Sequence, residues 1–173
     1  MDDFARARLK YRPSRVRAVL VAESPPQEGS GRFFYFEDVA TGDALFLEVM
    51  KALYPEARGA VKSVRRQKSE YLSRFRDDGY YLIDASQVPI AGLSRAVKAR
   101  FIRGGLAQLK QDLVEIQHSS LKVILISSLV YEICCSPLRQ AGFNVVNTEM
   151  IDFPVYGRQR EFQTKFGRVI RRA

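Results

Sequence analysis

Four short stretches of this chain carry residue types that do chemistry. Glu23 closes an apolar run in Ala22-Glu-Ser-Pro-Pro26. An ionised carboxylate there can stabilise a developing positive charge or orient a water; equally, it can cap the loop or pair with an arginine such as Arg32. Phe33, Phe34, Tyr35 and Phe36 are consecutive aromatics, and on an extended segment Phe34 and Phe36 share one face while Phe33 and Tyr35 share the other. A ring facing a pocket can stack on a nucleobase, contributing about 1–3 kcal/mol per base, with the remaining rings packed in the core. Asp84, when ionised, accepts hydrogen bonds and donates none. It therefore suits a base edge rich in N–H groups, or else an ordinary cap or loop. Tyr156-Gly-Arg-Gln-Arg160 precedes a basic amphipathic stretch. The first N–H groups of a helix receive phosphate, so Arg158, Gln159 and Arg160, with Lys165 and Arg168 further along, are candidate backbone contacts for DNA or a solvated basic face.

Other chemistries are poorly provided for. The two cysteines, Cys134 and Cys135, are adjacent, so they form no disulfide framework, and with one histidine, His118, they are too few for a structural zinc site or an iron–sulfur cluster. No metal and no cofactor is expected, and His118 reads as structural. Lysine and arginine number 28 against 19 acids, a net charge of +9, which draws the surface to polyanions. Arginine is the more frequent cation and grips phosphate oxygens in pairs. A nucleic acid is the expected partner, against the alternative that the charge serves only solubility.

The elements that would position these residues alternate. A basic arm or a short helix packed at the edge, 1–17, leads to the buried run Ala18–Ala22, which reads as a parallel strand. Apolar spacing predicts a helix through Leu45–Leu53 with Asp43 as its N-cap, and another over Ser63–Arg76. A strand over Gly79–Ala85 follows, then a helical stretch Leu93–His118 broken near Gly104-Gly105. The strongest strand signal is Leu121–Ser127, succeeded by a helix to Gln140, a fourth strand over Phe143–Val146, and a last helix over Gly157–Arg172. This order predicts one domain over 1–173, a three-layer α/β/α sandwich with a central four-stranded parallel sheet. Sites in such sheets lie beyond the carboxyl ends of the strands, here the loops Glu23–Phe36, Asp84–Gly92, Ser127–Leu129 and Asn147–Gln159. No apolar run approaches the length of a membrane span and the N-terminus is charged, so a monomeric cytoplasmic protein is expected.

Ala22-Glu-Ser-Pro-Pro26, followed by Gly31-Arg-Phe-Phe34, resembles the opening motif of the uracil-DNA glycosylase superfamily. Tyr81-Leu-Ile-Asp84 falls where that family ends its second strand with a base-reading asparagine, Val123–Ser127 opens its third strand-to-helix unit, and Asp152-Phe-Pro154 lies where it has a His-Pro motif. The resemblance implies a DNA-binding protein that excises a flipped damaged or deaminated base. Glu23 and Asp84 would be catalytic; Pro25, Phe34, Phe153 and Pro154 would hold the base; and Arg32, Arg158, Gln159, Arg160 and Lys165 would contact DNA. Phe153 stands in place of the histidine, Asp84 of the asparagine and Pro26 of a glycine, and the iron–sulfur cysteines of the thermostable class are absent. The alternative is a non-catalytic nucleotide or small-molecule module that keeps the fold alone.

Overall fold

The computed structural model describes residues 2–172. Its centre is a parallel sheet of three strands, β1 (Ala18–Ala22), β2 (Tyr80–Asp84) and β3 (Lys122–Leu125), in the order β2-β1-β3. Every residue of β1 is buried, as a central strand covered on both faces must be. Around it lie α1 (Asp3–Lys10), α2 (Ala44–Leu53), α3 (Val61–Arg66), α4 (Lys68–Asp77), α5 (Arg95–Glu115), α6 (Ser128–Gln140) and α7 (Gln159–Arg172). Helix α2 packs on α7 and α5 on α6. None of the helices among the described residues is long and apolar enough to cross a membrane.

The expected fourth strand is reduced to one bridge, Val145 beside Val123. The reason is a side chain. Asn147 accepts a hydrogen bond from the Leu125 N–H (2.7 Å) and donates from its amide to the Leu125 carbonyl (3.0 Å), so it takes the pairing a further strand residue would have made. The guanidinium of Arg139 donates to the carbonyls of Val145 and Asn147 on the outer side. At the other margin, the buried Tyr35 hydroxyl accepts from the Leu82 N–H (2.6 Å) and donates to the Leu82 carbonyl (3.2 Å).

Three further expectations are corrected. Gly104-Gly105 does not break α5, which runs unbroken for 21 residues; a Cβ on Gly105 would sit 2.5 Å from the Ala85 carbonyl oxygen, so the glycine serves close approach of helix to strand. The helix over Ser63–Arg76 divides at Gln67 into α3 and α4. Asp43 occupies the N-cap position of α2, but its side chain caps nothing. Its Oδ1 instead receives Arg65 Nε (3.0 Å) and Nη2 (2.6 Å), while Oδ2 faces the ammonium of Lys68 at 4.0 Å with no hydrogen bond. Lys68 is 1% exposed, its Nζ lies 4.4 Å from the Phe46 ring centre, and desolvation pulls its pKa down to about 8.

Candidate functional site

The arm at the start of the chain forms a helix because Asp2 caps it, accepting from the Ala5 N–H. Helix α1 lies along the β2 margin. Phe4 packs on Phe33 and Phe36, the guanidinium of Arg8 lies over the Phe33 ring, and Glu37 receives Lys10 and the Tyr11 hydroxyl.

This docking decides the fate of two candidates. Arg8 Nη2 donates to Asp84 Oδ2 at 2.6 Å, and Asp84 is 5% exposed. Burial raises the Asp84 pKa to about 6 against the opposing pull of Arg8, whose own Nε is buried without a partner. The carboxylate is thus sealed by an arginine of the same chain and offers no edge to a base. Phe34 is 6% exposed, and its ring meets the edges and faces of Tyr35, Phe46 and Phe75. Base stacking on Phe34 is corrected accordingly: four aromatics in a row form a core cluster, and the ring retains no open face. Pro25 and Pro154 are buried and Phe153 is half-buried against the core.

Glu23 keeps partial access, with 23% of its side chain exposed, but its partner is not Arg32. Its Oε2 receives Lys98 Nζ from the first turn of α5 (3.1 Å), and its Oε1 receives the Ser127 hydroxyl (2.5 Å). Glu23 turns toward α5 and α6, whereas Asp84 is held by α1, so the two carboxylates belong to separate hydrogen-bond networks. Ser127 lies in one of the four strand-end loops that the sequence singles out, Ser127–Leu129, but its residue type alone assigned it no role. It is 2% exposed, at the N-cap of α6 with φ 101°, a left-handed conformation unusual for a residue with a Cβ. Three bonds hold it there: its N–H donates to the Ile151 carbonyl, its hydroxyl donates to Glu23, and its Oγ accepts from the Leu129 N–H. The only signal in the sequence was a polar pair, Ser127-Ser128, between a strand and a helix.

The remaining candidates lie in the loop before α7 and on α7 itself, apart from Arg32 in the loop after β1. Arg158 pairs with Asp152 at 2.7 Å, and Lys165 is shared between Asp152 (3.7 Å) and Glu161 (2.7 Å). Their charges are partly neutralised. Arg160 and Arg32 are exposed and form no ion pair among the described residues, and Gln159 is half-buried. At the tip of the loop Tyr156 is 98% exposed and held at φ 53°, followed by Gly157 at φ 83°. Two consecutive left-handed residues turn the chain sharply and throw the ring into solvent. No cluster of three or more histidine, cysteine or acidic residues placed to hold a metal occurs among the described residues.

No family model, no curated protein and no solved structure matches this chain.

Proposed function

We propose that the chain is a nucleic-acid-binding module of α/β/α architecture resembling the uracil-DNA glycosylases, one that holds DNA without excising a base at Glu23 and Asp84. The observation that carries the reading is Tyr156. Its ring is 98% exposed and is projected by a strained turn next in sequence to Arg158 and Arg160. Stacking on such a ring supplies about 1–3 kcal/mol per base regardless of sequence, and the guanidinium groups supply phosphate contacts. The pairing of α2 with α7 and of α5 with α6 around the sheet supports the sandwich arrangement. The loss of excision is supported by Phe34 in the core and Asp84 under Arg8.

Fluorescence anisotropy with single- and double-stranded oligonucleotides tests the binding half. Tyr156→Ala is expected to weaken binding about thirtyfold, the middle of the stacking range, without lowering thermal stability. Wild-type protein that ignores both forms at low salt overturns the reading. Incubation with oligonucleotides carrying damaged or deaminated bases, then cleavage at abasic sites, tests the other half. No scission is expected, and scission that Glu23→Gln abolishes would restore an excising enzyme.

A further inference from the structure

The arginines that the Tyr156 loop does not use collect at the opposite end of the sheet. Residues 11–17 join α1 to β1, and their exposure alternates: Tyr11, Pro13 and Val16 face inward, Arg12, Arg15 and Arg17 outward. The segment is pinned along the amino ends of the strands. The Arg17 N–H donates to the Gly79 carbonyl (2.7 Å) and the Lys122 N–H to the Arg17 carbonyl (3.0 Å). His118 Nε2 lies 2.6 Å from the Val16 carbonyl oxygen, which can only accept, so the ring carries its proton there and Nδ1 is left to accept from Ser120. Arg15 reaches the Ser120 hydroxyl at 3.4 Å.

The backbone is therefore fixed while the guanidinium ends stay out. Arg6, Arg8 and Lys10, just upstream, each pair with an acid. Arg12, Arg15 and Arg17 form no ion pair among the described residues, and the acids of the adjoining turn are committed, Asp77 to Arg76 and Asp78 to Tyr54. Three unneutralised guanidinium groups on a pinned, bent segment, spanning at most about 17 Å, make a ridge. Beside it, the loop 117–120 faces Phe143 and Asn144 across a cavity of about 260 Å³. That is smaller than the roughly 300–1,000 Å³ that encloses a drug-sized ligand and of a size for one unstacked base. The amides of Gln117 and Asn144 line it, each with both donors and an acceptor.

We infer that Arg12, Arg15 and Arg17 clasp the phosphates of a single-stranded nucleic acid, whose base enters the cavity between the 117–120 loop and Asn144. The inference rests on the nucleic-acid reading above and adds a second contact surface, independent of Tyr156. Unstacked bases are available in single strands and not in duplexes, which selects the partner.

Anisotropy of a labelled single-stranded oligonucleotide across a salt series tests it, with wild type, R12Q/R15Q/R17Q, R12K/R15K/R17K, the single variant R15Q and N144L. Each phosphate contact to a single strand contributes about 0.7 to the slope of log affinity against log salt. The glutamine triple is therefore expected to flatten the slope by about 2 and the lysine triple to keep it. R15Q, which removes one exposed group, flattens it by about 0.7 and covers the case in which the triple fails to fold. N144L weakens single-strand binding and leaves duplex binding unchanged. Wild type that binds neither form defeats the nucleic-acid reading and this inference together. Wild type that binds with a slope unchanged in both the glutamine triple and R15Q defeats the ridge alone. Preference for duplex overturns the single-strand assignment, and binding only to phosphatidylserine vesicles, lost in R15Q, makes the ridge a membrane contact instead.

Discussion

An ammonium group held away from water with no acceptor within hydrogen-bonding distance opposes folding, and Lys68 is in that position, 4.0 Å from Asp43 and against the Phe46 ring. Its pKa is pulled down to about 8 in the fold and stands at 10.5 in the unfolded chain. Between those values the unfolded state binds more protons, so this residue makes stability rise with pH from about 8 to 10.5. Lys68→Met keeps the stem, removes the charge, and is expected to stabilise the protein at pH 7 by about 2–3 kcal/mol, with the rise above pH 8 abolished; urea denaturation at several pH values measures both. Ser127 poses the converse case, a strained residue secured by its hydrogen bonds. Ser127→Ala keeps the strain and loses the bonds to Glu23 and Leu129, lowering stability by about 1–3 kcal/mol. Ser127→Gly loses the same bonds but relieves a strain of similar size, so the glycine variant should melt above the alanine one. The sequence assigned neither residue its role, because a lysine on a helical pattern reads as surface and a serine before a helix as a plain cap. Residue type alone does not report the angle of the backbone or the company of a side chain.

At the scale of elements, α1 behaves as a fixed part of the domain, and Arg8 is its anchor. Arg8→Ala leaves Asp84 buried without its cation, a loss expected to lower stability by about 3 kcal/mol at pH 7. The sign with pH is set by the raised Asp84 pKa: stability is fullest below 3.8 and is lost as pH climbs through about 6, and in the variant that decline deepens and moves to higher pH. Adding Asp84→Asn should recover most of the loss, as denaturant midpoints would show. The alternation of strands and helices was readable because buried parallel strands are continuous apolar runs, and Ala18–Ala22 is one. The fourth strand was not, because Phe143–Val146 has a strand's composition and only the three-dimensional reach of Asn147 ends its pairing. Gly104-Gly105 misled for a like reason, since its role is set by Ala85 across the gap. The four aromatics were legible as core or pocket, and packing against Phe46 and Phe75 settled the matter for Phe34.

For the whole molecule, the excess of positive charge matters through how it is distributed. On α7 it is restrained by Asp152, which holds Arg158 and Lys165. Asp152→Asn is expected to raise affinity for any oligonucleotide severalfold at low salt, and Arg158→Ala with Arg160→Ala to lower it equally across sequences, because phosphates carry no base information; both are read by anisotropy. The charge balance was plain from the sequence, whereas its partial cancellation needed the fold to bring acids and bases together. The hydroxyl of Tyr35, finally, has a bearing on how this molecule behaves in a crowd. By occupying both backbone groups of Leu82 at the outer side of β2, it removes the template on which a strand from another chain would align. With α1 along the same margin, that one oxygen atom leaves Leu82 no free backbone group with which to recruit a further strand. Tyr35→Phe should accordingly show itself first as time-dependent turbidity on gentle warming, ahead of any loss of helical signal.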